Sequence, residues 1–159
     1  MLSSILKKVT IIIIVLITSI TISFMLSTNN KGNQIIDHKI ESLVDEWKLS
    51  MDSSRINYHN GFNRIKRIQI GTIENRYVGL SNKGTQSIFI SDSQAKAGAY
   101  SLRGTLYHEL GHYVFNLSHN SCGIMRDVVY NKTEYKTNWL KLKKEYLKCC
   151  KENEFESKY

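Results

Sequence analysis

Cysteine is scarce in this chain, with only Cys122, Cys149 and Cys150 among 159 residues. An odd number with no C-x-x-C spacing excludes a multi-bridge disulfide framework and a cysteine zinc knuckle. One bridge, from Cys122 to the C-terminal pair, stays open if the domain lies outside the cytoplasm; otherwise Cys149 and Cys150 read as ordinary helix residues. No cysteine precedes Cys122, which excludes a lipid anchor on such a residue near the N-terminus. Acidic side chains are also short, 14 against 22 lysines and arginines, for a net charge of +8. The basic residues spread along the whole chain and lack the interleaved aromatics of a nucleic-acid-binding surface. No nucleic-acid partner is expected, and the charge reads as solubility plus attraction to anionic surfaces such as lipid headgroups or a charged cell envelope. Internal repeats and low-complexity segments are lacking too. Beyond an apolar N-terminal stretch roughly 125 residues remain, the size of one domain with one core.

That stretch, Val9 to Leu26, is uncharged, rich in isoleucine and preceded by Lys7 and Lys8. Its length suffices to cross a bilayer, and the two lysines would stay on the cytoplasmic side, sending everything after Ser27 to the far side. No polar face exists to meet water, which argues against a buried core helix. Met25, Leu26 and Asn29 spoil the cleavage sites a secretory signal would need, so an uncleaved anchor is expected; cleavage would make the protein secreted. The chain is thus expected to divide into a membrane anchor or signal sequence over 1–27, a linker over 28–34 and one domain over 35–159, with no cleavable inhibitory segment between.

Within the domain, Ile36, Ile40, Leu43, Val44, Trp47 and Met51 recur at helical spacing, with Asp37 placed to cap. Short alternating runs follow at Arg67 to Ile73, Tyr77 to Leu80 and Ser87 to Ser91, punctuated by Asn60-Gly61 and Asn82-Lys83-Gly84 as turns. Leu102 to Leu117 then predicts a helix, and Tyr135, Trp139, Leu142, Tyr146 and Cys149 or Cys150 mark another. The expected fold class is α+β: a small twisted mixed sheet of three or four strands, a helix on its N-terminal side, an active-site helix and a C-terminal helix closing the site from below.

The chemistry concentrates in His108-Glu109-Leu110-Gly111-His112. At about 100° per residue, residues four apart lie about 40° apart around a helix, so both imidazoles project to one side and can supply two nitrogens to one metal ion. The apolar stripe Leu102, Leu106, Leu110, Tyr113 and Leu117 is expected on the opposite side, against the sheet. Glu109 falls between the two faces, where it cannot easily ligate but can reach a water on the same ion as a general base. Zinc lowers the pKa of such a water to about 7 and needs a third protein ligand with the fourth position open. His119 is the nearest candidate, just past the end of the helix. Gly111 leaves one side of the helix bare for close approach by backbone or substrate.

The segment from His108 to His119, with Met125 shortly after, resembles the metzincin signature H-E-x-x-H-x-x-G-x-x-H followed by a methionine turn. A strict match would put glycine at Phe115 and histidine at Ser118, so this chain departs by one residue. The displacement is coherent: Asn116 precedes His119 by three positions, as the family's glycine precedes its third histidine, and asparagine best replaces glycine at a left-handed helix exit. Small membrane-tethered bacterial metallopeptidases are similar, with a further histidine seven residues on and a tripeptide like Gly123-Ile124-Met125. The resemblance covers about Tyr107 to Met125 and is only architectural elsewhere. It implies His108, His112 and His119 as ligands of a zinc ion, Glu109 as catalytic base and Met125 beneath the metal. It also implies an edge strand, Tyr77 to Leu80 or Ser87 to Ser91, that pairs with an extended peptide or protein substrate.

Several alternatives stand beside this reading. Glu134, opening the last helix, suits zincins that use two histidines and a glutamate, and Cys122 could reach a metal as thiolate. Tyr130 is a candidate donor to a developing oxyanion. His38 and His59 read as surface residues. The expected function is zinc-dependent peptide-bond hydrolysis, by an endopeptidase more than an exopeptidase, in a monomer. The alternatives are a membrane-anchored binding protein with a structural or silent zinc site, and a zinc amidase acting on cell-wall peptides.

Overall fold

The computed structural model describes residues 34–73, 77–127 and 132–154. The chain divides between Asn33 and Gln34, so the expected anchor over 1–27 and nearly all of the linker lie outside the described residues. Among the described residues no helix is long and apolar enough to cross a membrane.

The domain is α+β, with a small mixed sheet of four strands. In chain order come β1 (Ile35–Ile36), α1 (Glu41–Ser53), α2 (His59–Phe62), β2 (Arg67–Gly71), β3 (Gly79–Asn82), β4 (Ser87–Ser91), α3 (Asp92–Ala97), α4 (Ala99–Phe115), a 3-10 turn (Gly123–Met125) and α5 (Lys132–Glu152). The spatial order is β1-β2-β4-β3. β1 and β2, and β2 and β4, are parallel, whereas β3 runs antiparallel to β4. The register sets Ile36 beside Ile68, Ile68 beside Ile88 and Ile70 beside Ile90. Side chains alternate along a strand, so this register gathers the isoleucines on one face. Ile68, Ile88 and Ile90 are sealed from solvent there. Asn82 organises the β3–β4 turn by accepting a hydrogen bond from the Thr85 amide at 3.0 Å, a side-chain turn of the kind asparagine favours.

Three expectations about elements are corrected. The first helix begins at Glu41 rather than near Ile36. Ile35 and Ile36 pair with β2 instead, and the Asp37 carboxylate accepts from the amides of Lys39 and Ile70, closing the strand rather than capping the helix. Asn60-Gly61 is not a turn but part of α2. Ser87 to Ser91 cannot be the edge strand, because β4 lies between β2 and β3; the edge on that side is β3. The short helix α3, entered through the Ser91 hydroxyl accepting from the Ser93 amide at 3.2 Å, was not anticipated.

α4 is the centre of the molecule. Leu102, Leu106, Leu110 and Tyr113 of the expected stripe are buried, as is Leu117 just beyond the helix, but so are Gly104, Thr105, Tyr107, Gly111, Val114 and Phe115. The helix is enclosed nearly all round rather than on one face, with the sheet on one side and α5 and the 3-10 turn against it as well. Gly111 shows why a glycine stands there: a Cβ would lie 2.7 Å from the Met125 sulfur and 3.1 Å from the Tyr146 ring. The close approach at Gly111 is therefore made by two core side chains, not by backbone or substrate. Trp47 of α1 and Tyr146 of α5 join across the core, with Trp47 Nε1 donating to the Tyr146 hydroxyl at 3.2 Å.

Candidate metal centre

α4 ends as its sequence suggests. Asn116 adopts the left-handed conformation, with φ 57° and ψ 28°, and the Leu117 amide reaches back six residues to the Gly111 carbonyl at 3.2 Å, so that the chain turns off the helix end through a left-handed residue. The chain then doubles back along the helix through residues 117–127. His108 and His112, one turn apart on α4, meet His119 from this returning segment. Their three Nε2 atoms lie 2.9 Å (His108–His112), 3.0 Å (His112–His119) and 3.3 Å (His108–His119) apart.

Each ring is aimed by a bond on its other nitrogen. His108 Nδ1 faces the Ile124 carbonyl oxygen at 2.9 Å, His112 Nδ1 the Leu117 carbonyl oxygen at 2.6 Å, and His119 Nδ1 the Asp127 carboxylate at 2.6 Å. A carbonyl oxygen can only accept, so the proton sits on Nδ1 in His108 and His112, and a carboxylate favours the same arrangement in His119. Neutral rings of that tautomer turn three bare Nε2 lone pairs on one point. Burial favours the neutral state, pushing His108 down to about 4 and lowering His112 as well. Lone pairs packed this closely repel unless a cation lies among them. Tetrahedral ligands at zinc–nitrogen lengths would stand about 3.3 Å apart, close to what the rings show. The three histidines lie close enough to bind a metal ion, and no other such group occurs among the described residues.

Glu109 is only 5% exposed, so it is not a solvated helix carboxylate. Burial raises its pKa to about 7, against the opposing pull of hydrogen bonds from Ser81. Its carboxylate lies against β3, where a Cβ on Gly79 would come within 2.5 Å of Oε1. Glu109 and the three histidines line one cleft of about 250 Å³, whose other walls are residues 77–81, Arg126 and Asp127. A buried carboxylate, three convergent nitrogens and an edge strand thus share one open space.

The competing candidates fall elsewhere. Glu134 is exposed on the first turn of α5 and is not part of the histidine group. Cys122 lies beside Cys149, and burial pushes its thiol up to about 12, a protonated state unsuited to metal binding. Tyr130 lies outside the described residues. His38 and His59 are exposed, as expected. Met125 is fully buried under Gly111, on the side of α4 that packs against α5.

Sequence reasoning missed Asp127 and the carbonyls of Leu117 and Ile124. Every residue has a carbonyl, so nothing in a sequence marks the two that matter. Gly79 was legible in principle, because a glycine inside a strand often marks a close approach by another group. No family model, curated protein or solved structure matches the chain.

Proposed function

We propose that this protein is a zinc-dependent peptidase whose catalytic base is Glu109 and whose metal ligands are His108, His112 and His119. The observation that carries the reading is the convergence of three Nε2 atoms within 3.3 Å beside the buried Glu109 carboxylate. Three neutral imidazoles and no thiolate suit zinc, with a position left open for catalysis. When bound there, zinc supplies Lewis acidity toward a carbonyl oxygen and makes water a better acid.

The chain's own residues account for the remaining steps. Glu109 accepts a proton from the attacking water, and its enclosure between α4 and β3 raises its affinity for that proton, as a base working near neutral pH requires. It then returns that proton to the departing amine, so no covalent intermediate is required. β3 is an edge strand whose outer side has no partner among the described residues. An extended peptide added to that edge would lie over the histidines, with backbone hydrogen bonds giving affinity. The apolar run over Val9 to Leu26 fits a tether that holds the domain on the extracytoplasmic side of a membrane.

The test uses the full chain. Purified protein should hold one zinc per chain and cleave unfolded protein substrates. Glu109→Gln should retain the metal and lose cleavage by at least about 10²-fold, the share a general base commonly contributes. Stoichiometric zinc with no cleavage of unfolded proteins or cell-envelope peptides by wild type would instead support a structural site; cleavage confined to the envelope peptides would support a cell-wall amidase.

A further inference from the structure

One short segment carries most of the histidine cradle. Residues 117–127 supply the third imidazole, the carbonyls that aim His108 and His112, and the carboxylate that aims His119. Apart from the three-residue 3-10 turn the segment has no regular secondary structure, and its turn bonds, from the amides of Asn120, Ser121 and Met125 to the carbonyls of Met125, Ser118 and Cys122, close within the segment itself. Its attachment to the rest of the fold decides how well the cradle is held, and α5 provides that attachment. Ile124 and Met125 are buried. The Gly123 backbone lies so close to α5 that a Cβ would meet Leu142 Cδ2 and Glu145 Oε2 at 2.7 Å each.

Cys122 stands at this contact, immediately before the turn. Cys149 of α5 lies beside it, with Cys149 Sγ donating to the carbonyl of Ser121, the residue before Cys122, at 3.1 Å. Cys122 is partly exposed, and both cysteines line an open groove of about 280 Å³ with Glu145 and Lys148. Cys150, next in sequence, is turned about 100° further round the helix and is fully buried in the core. With the Cys149 sulfur on the carbonyl next to Cys122 and both cysteines lining one groove, the two stand side by side, which is the proximity a disulfide needs.

We propose that Cys122 and Cys149 form a reversible disulfide that clamps the ligand-bearing segment 117–127 onto α5. The oxidant is a disulfide donor, small or protein-borne. It exchanges first at the accessible Cys122, giving a mixed disulfide and releasing one thiol; Cys149 then attacks the Cys122 sulfur and expels the second. Two protein thiols lose two electrons and two protons, and the donor leaves as two thiols. The bridge and the clamp stand on the packing alone. Slower loss of metal from the bridged form would follow from the clamp, and that step rests on the reading of the histidines as a metal cradle.

The full chain, purified reduced and freed of metal, is equilibrated with oxidised glutathione and mapped by mass spectrometry. The expected product links Cys122 to Cys149 within one chain and leaves Cys150 free. Cys150→Ser should still form it, whereas Cys122→Ser on the surface turn should not. Amide exchange over 117–127 in the bridged chain should slow on the order of tenfold relative to the reduced chain. Three free thiols after equilibration, a bridge through Cys150 or between chains, or unchanged exchange in a bridged chain would each overturn the proposal. Zinc added back to both redox forms separates the two readings: failure of both to bind it sinks the peptidase, while the mapping and the exchange rates still judge the clamp.

Discussion

An imidazole that ligates through Nε2 is aimed by whatever its Nδ1–H donates to, and for His119 that acceptor is a side chain rather than a backbone carbonyl. The His119 ring is 51% exposed, so packing alone does not hold it. Asp127 does, at 2.6 Å, and its other oxygen accepts from the Asn120 side chain at 3.2 Å. Loss of such an outer partner commonly costs 10–100-fold in metal affinity, so Asp127→Ala should weaken zinc binding by about that factor and Asp127→Asn by less. Competition against a chelating dye measures it, and an affinity equal to wild type would remove Asp127 from the site. The metal-free melting temperature should barely move, because the carboxylate is exposed. Gly79 is tied to the base instead. A Cβ there would meet Glu109 Oε1 at 2.5 Å and Thr105 Cγ2 at 2.8 Å. Overpacking of that kind costs about 1–3 kcal/mol, and Gly79→Ala should also displace Glu109, lowering kcat with zinc still bound. Denaturant melts and single-turnover cleavage read the two effects separately.

The elements show which kinds of information a sequence carries openly. The core of α4, the β2 and β4 strands and α5 were legible because apolar side chains repeat at the element's own period. The exit of α4 was legible for a different reason: asparagine tolerates a left-handed backbone, and Asn116 sits at φ 57°. β1 was not legible, since two isoleucines are too short to alternate and fit the stripe of the following helix equally well. The enclosure of α4 was hidden by its small residues. Gly104, Thr105 and Gly111 look like a solvent face, yet they are where Tyr135, β3 and Met125 press in. The exit also couples backbone to site, because the residue after Asn116 supplies the carbonyl that aims His112. Asn116→Gly should keep both the fold and the metal, losing only the exposed hydrogen bond from Lys83. Asn116→Val puts a branched side chain in the left-handed region, costing about 1–2 kcal/mol. It should weaken zinc binding as well, since relief of that strain moves Leu117 and His119. Thermal melts with and without zinc test the pair, and a valine variant with wild-type zinc affinity would show that the exit does not position the cradle.

At the scale of the molecule, the metal would add a polar link between segments that the hydrophobic core already packs together. α4 holds two of the imidazoles, half-buried, and the third arrives on a returning segment anchored by Leu117, Ile124 and Met125 in the core and by Ser121 and Gly123 against α5. The unfolded chain does not hold the three rings together, so zinc binds the native state almost alone and stabilises it by mass action. At free zinc one hundred times above the dissociation constant this amounts to about 2.7 kcal/mol. For a domain of this size that corresponds to a melting temperature higher by roughly 10 °C. Chelation of the full protein should therefore lower the melting temperature by that order, and zinc should restore it. The loss should be local in origin, so amide protection should fall over 117–127 and the last turn of α4 while β2 and β4 keep theirs. His119→Ala should melt near the chelated wild type and respond little to either chelator or zinc. A wild-type chain whose melting temperature ignores both would mean that the three nitrogens converge without a cation between them, and Glu109 would then have no activated water to deprotonate.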